Sequence, residues 1–372
     1  MLDLKGKLAE PELCGRLLKR IAQLADRPFR FMEVCGTHTV ALFRSGIVSM
    51  LPETLTHLSG PGCPVCVTHD SEIAAAIALA RQEKIRIASF GDLLRTPGPR
   101  GESLKKAKAA GAQVEIVYSP LECLELAADH PDEELVFIGV GFETTSPAVA
   151  ATVLEAKRRG LKNFSVLCFH KLVPPALRAL LAEPLLPGQA NSPAGQGIDG
   201  FLLPGHVSTI SGLGAYQFIA TEYARPAVVA GFEPADLLQA LVQLLEMHRN
   251  GTPQVKNAYI RAVRQNGNPR AREILERVFE IAPARWRGLG EIAGSGLQFR
   301  AEFAGYDAMC KLGLRLPDTP AIPGCMCGET LAGQIRPPQC PLFGKVCTPH
   351  NPVGPCMVST EGSCAAYYNY NI

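Results

Sequence analysis

A chain of 372 residues, 47% hydrophobic and 19% charged, has the composition of an ordinary globular protein long enough for two or three domains. Its net charge of +2, with no block of like charges and no dense basic stripe, gives no reason to expect nucleic acid or an anionic membrane as a partner. No apolar run approaches membrane-spanning length, and Met1-Leu-Asp-Leu-Lys lacks the features of a signal peptide, so a cytoplasmic location with mostly reduced thiols is expected.

In chain order, Phe29-Val34 reads as a strand that delivers Glu33-Val-Cys-Gly-Thr-His38 onto a glycine-containing turn. From about residue 45 to 245, short apolar runs alternate with amphipathic stretches, the pattern of parallel strands buried on both faces. Ile85-Ser89, Val114-Tyr118, Leu135-Val140, Phe164-Cys168, Phe201-Leu203 and Ala227-Ala230 are the expected strands. Helical spacing is found in Ile73-Gln82, Ser103-Ala110, Pro120-Ala128, Ala148-Arg158, Pro175-Leu181 and Pro234-His248, while Pro184-Asp199 reads as a turn-rich connection.

The expected architecture is α/β: two similar Rossmann-like domains with parallel sheets around a cleft, plus a C-terminal cysteine-rich domain. Boundaries are drawn as an N-terminal segment at 1–44 packing with the C-terminal domain, α/β domains at 45–140 and 141–248, and a helical and sulfur-rich domain at 249–372.

Polar residues collect just beyond two strands, as Gly141-Phe-Glu-Thr-Thr145 and Pro204-Gly-His-Val-Ser-Thr209. Open α/β sheets bind ligands beyond their strand C-termini, which makes Glu143, Thr144, Thr145, His206 and Ser208 cleft candidates. The plainer reading is that Thr145 or Ser146 caps the next helix and His206 is an ordinary loop residue.

Sulfur marks three further places. Cys35 and His38 stand three residues apart, where they can share a metal or the imidazolium can lower the thiol pKa; a buried cysteine beside an unrelated histidine is the alternative. In Gly60-Pro-Gly-Cys63-Pro-Val-Cys66, the CxxC spacing puts two sulfurs within bridging reach on a proline-stiffened turn, reading as a redox or catalytic pair with half of a zinc site as rival. Six of thirteen cysteines (Cys325, Cys327, Cys340, Cys347, Cys356 and Cys364) lie in the last 48 residues among glycines and prolines, a tail suited to a thiolate-held metal or cluster. Cys14, Cys123, Cys168 and Cys310 fall in periodic apolar segments and are expected in the core.

Together these motifs resemble the HypD family, which matures [NiFe] hydrogenases: EVCGTH at 33–38, GPGCPVC at 60–66, GFETT at 141–145, PGHVSTI at 204–210, and the tail from Cys327 to Tyr368, all in family order. The resemblance implies a scaffold, paired with HypC, on which the Fe(CN)2CO group is assembled. Cyanide would arrive as a thiocyanate on HypE, made with HypF upstream, and the hydrogenase large subunit would be reached through HypC. Carried onto this chain, Cys35 is the iron ligand with His38 beside it, and Cys63 and Cys66 are the dithiol near cyanide transfer.

The family's tail is similar to that of ferredoxin:thioredoxin reductase, where a [4Fe-4S] cluster lies beside a reactive disulfide. Six tail cysteines exceed the four a cubane needs. The assignment made here is Cys325, Cys340, Cys347 and Cys364 as ligands, with Cys327 and Cys356 as a thiol pair; exchange of Cys327 with Cys325, or of Cys356 with Cys364, is open on spacing. Releasing cyanide from a thiocyanate sulfur takes two electrons, which a dithiol supplies by closing to a disulfide. The competing functions are an iron-sulfur-dependent disulfide reductase of a protein partner, which needs no iron at Cys35, and a zinc-stabilised binding module.

Overall fold

The computed structural model describes residues 11–182, 197–320 and 322–370; residues 184–196 of the turn-rich segment thus lie outside the described residues. Strands run in chain order as β1 (Phe29–Glu33), β2 (Leu55–Ser59), β3 (Ile85–Ser89), β4 (Gln113–Ile116), β5 (Glu134–Gly139), β6 (Phe164–Cys168), β7 (Gly200–Pro204), β8 (Ala227–Ala230) and β9 (Val255–Asn257). A hairpin of β10 (Phe279–Trp286) and β11 (Gly290–Phe299) follows. β1, β2, β7, β8 and β9 form one parallel sheet in the order β2-β1-β7-β8-β9, and β3 to β6 form a second in the order β4-β3-β5-β6.

Apart from β9, the two sheets share a strand order: the first strand of each has the second on one side and the third, then the fourth, on the other. They are the two similar α/β units that the sequence predicts, but they are divided differently. β5 and β6, which a boundary at 140 would part, are hydrogen-bonded neighbours, and β1 and β2 belong with β7. The second sheet is one continuous stretch inserted between β2 and β7. Local hydropathy cannot reveal this, because a buried parallel strand reads the same whichever sheet receives it. β2, β9 and the hairpin had no place in the sequence reading.

The strands are buried as expected, with Phe31, Phe137, Phe164 and Phe201 all at 1% exposure or less. The Pro11–Leu24 helix packs on the Pro234–Asn250 helix beneath the first sheet, while the Gly36–Arg44 helix meets the C-terminal Ser363–Tyr370 helix, with Phe43 and Tyr367 rings 4.5 Å apart. The N-terminal segment therefore does touch the tail, though its strand belongs to the first sheet. Among the described residues the tail packs on the rest of the chain: Cys327, Leu331 and Cys356 join the same apolar cluster as Ile87, Val136, Leu203 and Trp286, and Ala366 and Tyr367 cluster with Phe43.

Of the four cysteines assigned to the core, Cys123 is fully buried and Cys14 and Cys168 are half-buried, but Cys310 is exposed. It sits on the one-turn Ala308–Lys311 helix, of which only Ala308 is buried, so its apolar spacing was misleading.

Two buried ion pairs tie the units together at the helix Asp70–Ala80. Lys171 beyond β6 donates to Glu72 Oε1 (2.5 Å), and Arg287 in the hairpin turn pairs with Asp70. Glu72 also accepts the His69 N–H (2.8 Å), closing the N-terminus of this helix.

The core of the second sheet gives a direct test. Phe137→Ala on central β5, which deletes a fully buried ring, should cost about 3–5 kcal/mol, read as a lowered denaturant midpoint at unchanged slope. A loss below about 1 kcal/mol would place that ring outside the core.

Candidate functional site

Strand order locates the site. In the first sheet the chain departs in opposite directions from β1 and β7, and in the second from β3 and β5; crevices at such switch points are where open α/β sheets bind ligands. The loop after β1 carries Cys35 and the loop after β5 carries Glu143. The GPGCPVC loop leaves β2, hydrogen-bonded beside β1, and the PGHVS segment leaves β7 on the other side.

The first two loops are pressed together. The Gly36 N–H donates to the Gly62 carbonyl (3.0 Å) and the Gly60 N–H to the Glu33 carbonyl (2.8 Å). A β-carbon at Gly62 would collide with the Cys35 backbone, and one at Gly60 would lie 2.8 Å from the Glu33 carbonyl. These glycines are required by close approach.

Cys35 is buried and N-caps the Gly36–Arg44 helix. Fully buried Glu33 sits behind it, accepting the Cys35 N–H (3.0 Å) and the Thr39 hydroxyl (2.5 Å). Burial, reinforced by Glu361 and Glu33, pushes the Cys35 thiol up to about 12. His38 Nε2 lies 3.2 Å from the Ala230 carbonyl, which can only accept, so Nε2 carries the proton and Nδ1 keeps its lone pair, with no partner among the described residues. Burial holds His38 down to about 4, so the imidazole is neutral. The His38 and His206 rings both pack on Phe232, at 4.9 and 4.0 Å.

Cys63 N-caps the Pro64–Val67 turn and its sulfur accepts the Cys66 N–H at 3.3 Å. Burial works against a thiolate at Cys66, but hydrogen bonds from Cys356 and Cys63 and the Arg287 charge outweigh it, leaving Cys66 lowered to about 6. Burial and the neighbouring Cys66 push Cys63 the other way. The pair is thus asymmetric, one sulfur ready as a thiolate and the other as a thiol.

The tail closes over both loops. The Pro355–Met357 turn packs on the Pro64–Val67 turn, which brings Cys356 beside Cys66, and Cys356 also neighbours Cys327 and Cys364. Five residues on, the Thr37 hydroxyl donates to Glu361 Oε1 (2.7 Å), and a β-carbon at Gly36 would stand 2.5 Å from Glu361 Cβ. All six tail cysteines line one small cavity, closed by Met326, Leu342, Phe343 and Met357. A β-carbon at Gly354 would meet the Cys325 sulfur at 2.5 Å, and the Val353 N–H donates to Cys347 Sγ at 3.4 Å. The sulfurs ring a space rather than converging on a point: among the described residues no three His, Cys, Asp or Glu side chains are arranged to hold a single ion.

The cleft candidates divide. Glu143 is buried, accepts the Val173 N–H through Oε1 (3.0 Å) and leaves Oε2 without a partner among the described residues. Burial raises its carboxyl to about 7. Thr145 holds the N-cap position of the helix that follows but gives it no side-chain cap bond: its hydroxyl donates back to the Phe142 carbonyl (3.2 Å), and Ser146 Oγ is buried with no partner among the described residues. Thr144 and His206 are exposed, and the Ser208 hydroxyl is spent on the Pro204 carbonyl (2.7 Å). Sequence reasoning passed over fully buried Tyr216, whose hydroxyl has no partner among the described residues and which feels the charges of Glu143 and Cys35. It also passed over Arg287; neither residue belongs to a recognisable motif.

Fold and site together define a class: a two-sheet α/β protein whose switch-point loops and cysteine-rich tail form one buried thiol centre. The model of the family described as "HypD: Hydrogenase formation hypA family" matches residues 12–371. Similar curated proteins include the hydrogenase maturation factor HypD of Cupriavidus necator, 44% identical over 96% of this chain and 95% of its own. That of Escherichia coli K12 is 43% identical over 96% and 94%, and the HypD2 of Bradyrhizobium diazoefficiens 44% identical over 97% and 95%. The chain belongs to the HypD family. Among the described residues, no helix is long and apolar enough to cross a membrane.

Glu143 sets a pH dependence. Its folded pKa lies above the ordinary 4.5, so its share of stability is intact below about 4.5 and is lost as pH rises through about 7. Glu143→Gln should match the parent at low pH and exceed it by roughly 3 kcal/mol at most above pH 7, measured as a denaturation difference that grows between those values. A difference flat across that range overturns the buried, proton-holding carboxyl.

Proposed function

We propose that this chain is a hydrogenase maturation factor that serves, with HypC, as the scaffold for the Fe(CN)2CO group, accepting cyanide from thiocyanated HypE. One observation carries the reading: three sulfur motifs that are far apart in sequence share one buried centre, because the segment 354–364 lies on both the CGTH turn and the CxxC loop.

Each element has work suited to it. Cys35 is the ligand for the incoming iron. A thiol held near 12 stays protonated until a dication arrives, and metal binding then releases the proton. His38, neutral with Nδ1 unprotonated, keeps a free lone pair three residues from Cys35. Glu143 Oε2 and the Tyr216 hydroxyl, both buried and without partners among the described residues, are polar groups suited to small ligands on the iron. The cleft at Cys35 is the natural docking place for HypC.

Cys63 and Cys66 supply the electrons for cyanide release. Closing their disulfide from the Cys66 thiolate and Cys63 thiol gives up two electrons and one proton, while the thiocyanate S–C bond takes the electrons and parts into a HypE thiolate and cyanide. Cys356, beside both Cys66 and Cys327, offers the sulfur through which thiol exchange reopens that disulfide.

The tail fits a [4Fe-4S] cluster by its donor set. Its sulfurs are spread round a cavity with apolar walls, one accepting a backbone N–H, as suits ligands attached to separate irons rather than to one ion. When bound, the cluster would supply electrons singly to a disulfide formed by the adjacent thiols. Cys325, Cys340, Cys347 and Cys364 are the proposed ligands, which leaves Cys327 and Cys356, the pair nearest Cys66 through Cys356, for exchange.

Two experiments test this. In Cys35→Ala, the infrared bands of iron-bound cyanide and carbon monoxide in the copurified complex should vanish while the brown colour of the cluster remains; bands that persist sink the scaffold, and a disulfide reductase becomes the better reading. Separately, Cys340→Ser and Cys347→Ser should each abolish the visible absorbance, whereas Cys327→Ser should keep it. Loss of colour in Cys327→Ser would exchange its role with Cys325.

A further inference from the structure

Arg287 lies in the turn of the β10–β11 hairpin, far in sequence from every cysteine of the centre, yet it is 6% exposed and lines a cavity with Cys325 and Cys327. Its backbone N–H donates to the Val67 carbonyl (2.8 Å), directly after the CxxC turn. The adjacent Gly288, at φ +74°, abuts Gly328 so closely that neither position has room for a β-carbon, and Gly328 follows Cys327. The hairpin turn is thus wedged between the dithiol and the tail.

The guanidinium is only half satisfied. Nη1 pairs with Asp70, while Nε and Nη2 are buried and find no acceptor among the described residues. A buried donor without an acceptor is costly unless something carrying negative charge comes to it. Glu72 as well as Asp70 interacts with Arg287, the sulfurs of Cys327 and Cys356 lie near it, and its charge bears on Cys66. A cavity of about 250 Å³ alongside is lined by His69, Asp70, Arg287, Cys325, Cys327 and Glu329.

We propose that Arg287 is a positioning residue for the thiol relay, a fixed buried cation that stabilises the negative charge appearing on the Cys66 sulfur when the Cys63–Cys66 disulfide is reduced. Asp70 holds the guanidinium in place and sets how much of its field reaches that sulfur. The inference rests on the redox role given above to Cys63 and Cys66.

The consequence is a reduction potential. Reduction of the Cys63–Cys66 disulfide by dithiothreitol breaks that S–S bond and closes the reductant's own. Two electrons move, and of the reductant's two protons one ends on Cys63 and one in solvent, leaving a thiolate at Cys66. Because the disulfide is neutral and the product anionic, a nearby cation favours the reduced form and raises the potential.

The test is anaerobic equilibration in dithiothreitol buffers, with the oxidised fraction at Cys63 and Cys66 read by alkylation and mass spectrometry. Arg287→Met should shift the equilibrium at least tenfold toward the disulfide, about 30 mV lower in potential. Asp70→Asn, which frees the cation from its counter-charge, should shift it in the opposite direction. The double variant Asp70→Leu, Arg287→Met removes both charges without stranding either, and should keep its fold and stay below the parent potential. Arg287→Lys should recover most of the shift.

A potential unchanged in Arg287→Met, or moved the same way by Asp70→Asn, overturns the proposal, since loosened packing would act alike in both. If Arg287→Met does not fold, Asp70→Asn and the double variant decide. Should Cys63 and Cys66 form no reversible disulfide in the parent protein, the redox role itself fails; a reversible disulfide indifferent to Arg287 sinks this inference alone.

Discussion

The centre depends on a clasp: Glu361 and Cys356, on one short stretch of the tail, lie against two glycine-bearing loops at the other end of the chain. Gly36 has no β-carbon because Glu361 occupies its place, and Gly62 has none because the Cys35 backbone does. Removing side chains at these points lets backbones approach closely enough for a thiol at 356 to meet one at 66. The apolar cluster running from both sheets into Cys327 and Cys356 keeps water from this contact, so the few charges present act strongly.

Within that dry surrounding, charge is distributed unevenly. Glu33 and Glu361 are on the Cys35 side, and with burial they keep that thiol protonated. Arg287 is on the Cys66 side and favours a thiolate there. The same residue type in adjacent loops is thus prepared for two tasks, one sulfur waiting for a metal and the other ready for exchange, by neighbours drawn from opposite ends of the chain.

The helix Asp70–Ala80 holds the arrangement in register. Its first turn sends Asp70 to the hairpin and Glu72 to the second sheet, both across buried ion pairs. Such pairs contribute little net stability, since desolvation offsets most of their attraction, but stranding either partner is expensive. Their value here is in fixing how the hairpin turn and the end of β6 sit beside the CxxC loop.

Much was legible in the residues alone. Period and composition place β3, β6 and β8 at their observed bounds, because a parallel strand buried on both faces is a plain apolar run. Cysteine spacing, the glycine-rich loops and the family resemblance single out Cys35, Cys63, Cys66 and the six tail cysteines, since thiol chemistry needs particular atoms. Which sheet each strand joins, that a continuous stretch is inserted between β2 and β7, that buried Tyr216 feels Glu143 and Cys35, and that Arg287 lines a cavity with Cys325 and Cys327, came only from the tertiary structure. A tyrosine or arginine announces no role by its neighbours in sequence; its role comes from what burial brings against it, and burial is a property of the whole fold.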